Sequence, residues 1–462
     1  MFVQSIIKRL PNSYYVLFQS FFLPQQRNNM AIDAEKKAKV LKYRWVVFVT
    51  LAIAYFFVYF HRTTGGAISG EMQDWFSITK SEVGMLASAY LWAYTLMQIP
   101  SGILTDKMGP RKAATIFILL LAAGSVLCAI SSLETIKSYP LMWVGKFIIG
   151  IGAAVIYIPI MKVLAVWFRK NEFASMSGVL LLVGNVGGIA AATPMVMLIQ
   201  NLGFADTYFI LTGITVVIGI LTWLFVRNHP NEMDLPGIEE IVSEETGEPI
   251  KESTSAKMGT KEALKLTFTS GRKFWPLAIW FFFMYGTIML WQASQAGSFY
   301  KDIGGLSSDT YAMFITMVGV GMVIGCPLAG RLSDKVLKSR KKVIIIGTIV
   351  YTLVWAVIWL TGDNVDFVSN TTYQYVLNFC FGFFGGFFVV SYAQIKELYP
   401  IAMAGTSTAA LNLFPFAGGA LLAFISGPIV EATSFKTLWM AAFIMMVVAS
   451  VCAILSVEKQ RD

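Results

Sequence analysis

The sequence predicts an all-α integral membrane protein with twelve transmembrane helices in two pseudo-symmetric six-helix bundles. Three observations lead to this fold class. Of the 462 residues, 56% are apolar and only 14% are charged, which is too little charge to cover a soluble protein of this size. Apolar runs of about 20 residues recur along the chain, and each is long enough to cross the hydrocarbon layer as a helix. A short polar motif also recurs about half a chain later, which indicates an internal repeat of two related bundles.

The apolar runs divide the chain into two lobes and three polar segments. Residues 45–226 form the predicted N-terminal lobe and residues 274–456 the C-terminal lobe, with the polar linker 227–273 between them. Segment 1–44 precedes the first lobe and segment 457–462 follows the second. The predicted spans are 45–69, 83–104, 113–133, 140–166, 175–199, 207–226, 274–300, 308–332, 343–361, 372–396, 404–428 and 435–456.

The net charge of +9 has an asymmetric distribution that explains it without a nucleic-acid partner. An even number of spans places both termini on one side, and most of the 36 Lys and Arg residues fall on that side. The opposite side carries only Lys80, Lys137, Lys301 and Lys436. Because short cytoplasmic loops of membrane proteins are enriched in Lys and Arg, we expect both termini to be cytoplasmic and the protein to lie in the cell membrane.

The first span carries His61 and Arg62 within an otherwise apolar helix. An arginine side chain in hydrocarbon costs several kcal/mol or more, so such a residue usually faces a bundle interior or a wet cavity. Tyr59 lies on the same helical face as Arg62. Gly65 and Gly66 follow, and they permit the close approach of another helix or local unwinding. We predict that this face lines a pore and that Arg62 binds an anion.

The repeated motif has the form G-x3-D-[KR] and occurs after the second and the eighth span. The first copy contains Asp106 and continues to Arg111, and the second contains Asp334 and is followed by Arg340. An acidic side chain at a helix end can pair with basic groups and with the donors of a neighbouring helix N-terminus. We therefore predict that these four residues are gating residues that hold the outward-open state.

Other polar side chains within the spans complete the candidate site. Lys162 near the end of the fourth span is predicted to be a second positive contact for the anion. Because no Asp or Glu lies in the middle of a span, His61 and Lys146 are the candidates for proton coupling. The residues predicted to orient the substrate are Tyr59, Tyr94, Gln292, Gln295 and Asn412.

The sequence contains no pattern that predicts a metal site, a cofactor site or an enzyme. The four cysteines, Cys128, Cys326, Cys380 and Cys452, lie in or near apolar spans, without the spacing of metal ligands or of a disulfide framework. No nucleophile–base set and no pair of mid-span carboxylates is present. We therefore expect no cofactor and no catalytic residue.

These features together resemble the major facilitator superfamily. The resemblance rests on the loop motifs at 102–112 and 330–341, on the stretch 146–152 with Lys146-x3-Gly150-x-Gly152, and on the twelve-span layout. Within that superfamily, the stretches 58–62 and 185–188 are similar to the organophosphate:phosphate antiporters and the related anion:cation symporters. The resemblance implies a secondary transporter of a small organic anion that works by alternating access.

Two departures from those relatives bear on the substrate and on coupling. The antiporters typically carry a second arginine before Tyr-Gly in the seventh helix, where this chain has Met284. The symporters often carry an Asp before the first-helix arginine, where this chain has His61. We therefore expect a carboxylate or sugar acid rather than a phosphomonoester. Proton symport stays open, and the alternative is an exchanger or uniporter for phosphorylated or other solutes.

The expected partners are the anionic substrate, membrane lipid and, in a symporter, protons, and we expect a monomer. A membrane sensor with the same fold is the alternative from another class. Measurable flux in proteoliposomes separates a transporter from a sensor.

Overall fold

The computed structural model describes residues 33–247, 260–400 and 403–459, and these fold into two helical lobes joined by a linker. The N-terminal lobe contains α1 (Ala34–Ala67), α2 (Ser69–Phe76), α3 (Lys80–Met108), α4 (Pro110–Ser131), α5 (Tyr139–Trp167), α6 (Lys170–Ala190) and α7 (Thr193–Phe225). The linker contains α8 (Ile238–Thr246) and α9 (Thr260–Thr269). The C-terminal lobe contains α10 (Trp275–Met289), α11 (Ala296–Gly304), α12 (Ser308–Arg331), α13 (Arg340–Thr361), α14 (Val365–Ser369), α15 (Thr371–Gly385), α16 (Val390–Leu398), α17 (Ala404–Ala432) and α18 (Phe435–Leu455).

Residues at the ends of α3 set its limits. Thr79 Oγ1 accepts a hydrogen bond from the backbone N–H of Glu82, and the Glu82 carboxylate accepts one from the backbone N–H of Thr79 at 2.8 Å. This reciprocal pair satisfies two N–H groups that a helix start leaves unpaired. At the other end, Gly109 adopts a φ of 79°, and Pro110 begins α4. The chain therefore turns sharply at the first loop motif, where a glycine permits the positive φ.

Eleven helical segments among the described residues are long and apolar enough to cross a membrane. The predicted second span corresponds to α3, which has 29 residues but is not among these eleven segments. Its polar residues Gln98, Ser101 and Thr105 are buried, because α3 packs between α5 and α17. A span inside a bundle tolerates polar residues that a lipid-facing span does not.

Two predicted boundaries differ from the structure. The predicted span 175–199 is interrupted, because α6 ends at Ala190 and α7 begins at Thr193 with a proline in its first turn. Gly203, with a φ of 80°, then breaks α7 into two parts. The predicted N-terminal segment 1–44 is helical from Ala34 and continuous with α1, while its residues 1–32 lie outside the described part of the chain.

A π-helical segment, Leu290–Gln295, joins α10 to α11 within the seventh predicted span. Gly65 and Gly66 of α1 pack directly against it. A Cβ atom added to Gly66 would lie 2.8 Å from the carbonyl oxygen of Trp291, closer than a real side chain permits. The prediction that these glycines permit close helix approach is therefore confirmed. Short π-helical segments inside α-helices frequently occur at functional sites.

The bundle has two ends, which we call the linker face and the far face. The linker face carries the start of α1, the linker helices and the end of α18, and the far face carries α2, α14 and the loop 132–138. At the linker face, α8 packs on the N-terminal lobe through the buried Ile238 and Ile241. The Glu245 carboxylate of α8 accepts from Lys37 and Arg169, each at 2.9 Å, and the Lys37 ammonium lowers the pKa of that carboxyl.

Candidate functional site

Arg62 is a buried arginine that has no carboxylate partner in the part of the chain that the structure describes. Its side chain is 5% exposed, and its guanidinium carbon lies 3.6 Å from the centroid of the Tyr59 ring. Its Nε donor is buried and makes no hydrogen bond to the described residues. Arg44 pairs with Glu172, and Arg169 and Arg340 also pair with carboxylates. Arg62 does not, within the described residues.

Arg62 and Tyr59 line a cavity between the two lobes, which we call the interlobe cavity. The N-terminal lobe contributes α1 and α6, and the C-terminal lobe contributes α10, the π-helical segment, α12 and the segment before α16. The lining residues are Tyr59, Arg62, Thr63, Asn185, Gly188, Tyr285, Gln292, Gly319, Met322 and Phe388. This arrangement presents one permanent positive charge, several amide and hydroxyl groups and an aromatic wall to the same space.

Arg62 also lines a second cavity, which we call the basic cavity. His61 and Lys146 line it together with Arg62. His61 and Lys146 are 3% and 5% exposed, and the Nε2 atom of His61 is buried without a hydrogen-bond partner among the described residues. The two residues predicted for coupling therefore lie beside the predicted anion-binding arginine, on α1 and α5.

Several residues predicted to orient the substrate have other partners in this structure. Tyr94 packs against Phe416, with ring centroids 4.2 Å apart. Asn412 donates to Gln98 Oε1 at 2.8 Å and accepts from the Tyr392 hydroxyl at 2.6 Å. These contacts join α3 to α17 across the lobes. Tyr94 and Asn412 therefore hold the lobes together near the interlobe cavity and are not among its lining residues.

Gln295 also differs from its predicted role. Its amide donates to Ser426 Oγ at 2.9 Å and lies near the Lys80 carbonyl oxygen. Gln295 thus contributes to the contact between α3, α17 and the π-helical segment toward the far face. Gln292, three residues earlier, lines the interlobe cavity, and its contact with substrate stays a prediction.

The structure places Lys162 away from Arg62. The rings of Tyr55 and Tyr157 contact each other, with centroids 5.5 Å apart. Arg62 lies seven residues beyond Tyr55 toward the far face, and Lys162 lies five residues beyond Tyr157 toward the linker face. With a rise of 1.5 Å per residue, the two side chains are separated by roughly 18 Å along the bundle. Lys162 instead forms an ion pair with Asp106, so the structure does not bring the predicted second cation to the anion.

The other predicted gating residues also have partners within their own lobe. Arg111 donates to the Trp223 carbonyl oxygen at 2.6 Å and 2.9 Å. Arg340 pairs with Asp334 at 2.6 Å and with Glu397 at 3.2 Å. In this conformation, the two loop motifs therefore stabilise the linker face of each lobe separately.

At the far face, by contrast, polar contacts cross between the lobes. Ser298 donates its backbone N–H to Ser69 Oγ at 2.9 Å. Two ion pairs and one carboxylate also bridge the lobes. They are Lys80–Asp302 at 2.7 Å, Lys301–Asp74, and Glu431 accepting from the N–H and the hydroxyl of Ser81 at 2.7 Å and 2.5 Å. The lobes are therefore closed on each other at the far face.

Glu71 lies in this far-face interface on the short helix α2. Its Oε2 atom is buried without a hydrogen-bond partner among the described residues. Burial raises the pKa of its carboxyl above the ordinary 4.5, and the Asp309 and Asp74 carboxylates act in the same direction, while hydrogen bonds with Ser308 and Gln200 oppose the shift. The closed far face therefore favours a protonated Glu71.

The cavity contains residues that sequence reasoning did not select. The sequence offers a signal for Asn185, because an asparagine recurs 227 residues later as Asn412. Only Asn412 is predicted to contact substrate. Tyr285 directly follows Met284, the position at which this chain departs from the antiporters. Phe388 and Met322 carried no local signal, since an apolar residue in a span is far more often a packing residue.

Comparison with known proteins places this architecture in a family context. The sequence profile described as "Major Facilitator Superfamily" matches residues 51–338 and 296–461. The chain is 24% identical to a probable hexose phosphate transport protein of Chlamydia trachomatis serovar D, over 95% of this chain and 96% of that relative. It is 25% identical to the D-galactonate transporter of Escherichia coli O6:H1, over 86% of this chain and 92% of that relative.

A solved structure has the same fold. The crystal structure of a bacterial homolog of the human lysosomal transporter Spinster, in an inward-facing and unoccupied conformation, superimposes with a TM-score of 0.68. The match covers 89% of this chain and 96% of that chain at 14% sequence identity. This similarity concerns the fold alone.

Proposed function

This chain belongs to the major facilitator superfamily, and from that membership we propose that it is a secondary transporter that moves a small organic anion by alternating access. It is an integral, multi-pass membrane protein, and its family and relatives are transporters rather than enzymes. The linker face, which is rich in Lys and Arg, is proposed to be cytoplasmic. The conformation closed at the far face would then be inward-facing.

One observation carries the proposed anion specificity. Arg62 is 5% exposed, lines the cavity between the lobes and has no carboxylate partner among the described residues. A buried charge without a partner is strongly unfavourable in the low dielectric of a protein interior. An anionic substrate that accepts two parallel hydrogen bonds from the guanidinium supplies that partner.

The cavity favours one anionic group and neighbouring hydroxyls. Met284 is fully buried where the antiporters carry their second arginine, so the interlobe cavity has a single guanidinium. A compact dianion such as a phosphomonoester would be only half neutralised there. Gln292 and Asn185, from opposite lobes, offer amides that match sugar hydroxyl groups. We therefore propose a carboxylate, including sugar acids, in preference to a phosphomonoester.

Proton coupling, where it occurs, is proposed to involve His61. A proton on His61 is repelled by the adjacent cations Arg62 and Lys146, and an anion bound at Arg62 offsets that repulsion. Substrate and proton would then bind cooperatively to the same lobe. Exchange or uniport is the alternative, and it requires no titration of His61.

The proposal is tested by the variant Arg62→Lys in purified protein. Lysine keeps the charge but cannot donate two parallel hydrogen bonds, so we expect the loss of one charge-assisted bond. That loss is worth about 1.5–3 kcal/mol, or about ten- to hundredfold in dissociation constant. Binding of sugar acids is measured by thermal stabilisation, and flux is measured in proteoliposomes.

Arg44→Lys is the matched control, because Arg44 lies in the same helix but pairs with Glu172. It should leave sugar-acid affinity unchanged. Full affinity in Arg62→Lys would refute recognition of the anion by the guanidinium. Tighter inhibition by phosphomonoesters than by any carboxylate would refute the proposed substrate class while leaving Arg62 in its role.

A further inference from the structure

The basic cavity holds more positive charge than the proposed substrate contact explains. His61, Arg62 and Lys146 line one side of it, and the rest is Gly65, Ala87, Tyr90 and apolar side chains. Its lining contains no carboxylate within the described residues. Arg62 lines both cavities and Lys146 lines only this one, so an anion bound to Arg62 between the lobes leaves Lys146 without a counter-charge.

The immediate neighbours of Lys146 do not neutralise it. Its ammonium lies 5.4 Å from the centroid of the Tyr208 ring, and this phenol is neutral when buried. Other lysines with a partner in this protein, such as Lys436 with Asp363 at 2.6 Å, lie at the surface, where water already stabilises the charge.

A buried ammonium either releases its proton or acquires an anion. The surroundings favour an anion, because two further residues that line this cavity have a side-chain nitrogen without a partner among the described residues. The Arg62 Nε and the His61 Nε2 atoms are both buried without a partner among the described residues. Two nitrogen atoms of α1 with unused hydrogen-bonding capacity thus belong to residues that line the same cavity as Lys146 of α5.

We propose that the basic cavity is a second anion-binding site, which takes a small monovalent anionic group between Lys146, His61 and Arg62. The apolar remainder of the lining excludes large or highly charged polyanions. The group has two possible sources with the same chemistry. It is either a free halide-sized anion or the second carboxylate of a substrate whose first carboxylate binds Arg62 in the interlobe cavity.

The inference shares Arg62 with the proposed function, and its second source rests on that function. The free-anion source does not require transport. If Arg62→Lys kept full sugar-acid affinity, the proposed function would fail, while anion binding at Lys146 would remain measurable. If Lys146 bound no anion, the interlobe site would be unaffected.

The experiment measures thermal unfolding of the purified full chain in sodium chloride and in sodium methanesulfonate at equal ionic strength. A specific site raises the Tm with chloride in a saturable way, and Lys146→Gln should abolish the rise. Lys146→Arg keeps the positive charge and should keep most of the rise in Tm. A loss in Lys146→Gln alone then reflects the missing charge and not a folding defect. Lys436→Gln is the matched control and should respond as the wild type does.

The second arm compares a short dicarboxylate with its monocarboxylate analogue as competitors for binding. If the anionic group belongs to the substrate, the dicarboxylate should bind about tenfold more tightly, as one additional charge-assisted hydrogen bond implies. Lys146→Gln should remove that preference. The proposal is overturned if neither chloride nor the second carboxylate is favoured, or if either effect persists unchanged in Lys146→Gln.

Discussion

The polar contacts at the far face should set the balance between the two conformations of the transporter. We consider the triple variant Lys301→Gln, Asp302→Asn and Glu431→Gln. Each change removes one contact that bridges the lobes: Lys301–Asp74, Asp302–Lys80 and Glu431–Ser81. These contacts exist only when the far face is closed, so their loss should favour the opposite, far-face-open state.

The free energy that the closed state loses in the triple variant follows from the exposure of these groups. The Asp74 and Lys301 side chains are 70% and 35% exposed, and such ion pairs contribute about 0.2–1 kcal/mol. Glu431 accepts two charge-assisted bonds, which at a solvated site add about 1 kcal/mol. If the three sites act independently, the triple variant loses roughly 2 kcal/mol, which is about a thirtyfold shift in the closed-to-open ratio. Each single variant should shift the ratio only about three- to fivefold.

The assay measures the distance between two spin labels at the far face by pulsed electron paramagnetic resonance. Thr135 in the N-terminal lobe and Val365 in the C-terminal lobe are exposed and lie in or next to far-face loops. Both are replaced by cysteine in a chain whose four native cysteines are alanine. We expect the long-distance population to grow stepwise from the wild type through the single variants to the triple variant.

A variant within one lobe provides the control. Lys436→Gln removes the ion pair with Asp363 at the same face, but both residues belong to the C-terminal lobe. It should leave the distance distribution unchanged. An unchanged distribution in the triple variant, or an equal change in Lys436→Gln, would contradict the assignment of these contacts to closure.

Three further predictions use the same protein. Lys162→Gln and Asp106→Asn should both keep sugar-acid affinity, because this ion pair lies roughly 18 Å from Arg62. Both variants should slow flux. A large loss of affinity in Lys162→Gln alone would show that Lys162 contacts the anion after all. His61→Gln should abolish accumulation driven by a pH gradient in proteoliposomes while keeping exchange, and accumulation that survives would favour a pure exchanger. Because burial raises the pKa of Glu71, the closed far face should be favoured at low pH and lose that advantage as the pH rises through the raised pKa. Glu71→Gln should remove this pH dependence from the spin-label distances, and a persistent dependence would assign it to another group.

The fold was predictable because its signal is local. A span needs about 20 apolar residues, and that requirement can be read without knowing any partner helix. The same reasoning failed at the break between Ala190 and Thr193, where the apolar run continues but the backbone does not. A second local signal is present in α3, where Tyr90, Tyr94 and Gln98 recur at intervals of four. This spacing marks one helical face that is turned toward other helices.

The candidate site was predictable only in part, because cavity lining depends on how helices are rotated against each other. Arg62 stood out, since a charge in an apolar helix is conspicuous in the sequence. Tyr285 and Phe388 did not, because nothing local separates a cavity-lining aromatic from a packing one. Lys162 was visible as a charge, but its partner Asp106 lies on a different helix, and sequence periodicity does not report contacts between helices.

The π-helical segment Leu290–Gln295 is a wide turn within the seventh span. A π-helical stretch accommodates an additional residue in the helix, and each residue turns an α-helix by about 100°. If the wide turn migrated along the span, Gln292 would rotate relative to Lys301 by about that angle. One backbone rewinding would then reposition an amide of the interlobe cavity and the ammonium that pairs with Asp74. A single-residue deletion between Met289 and Ala296 would fix this winding, so that substrate contact and far-face closure could no longer change together.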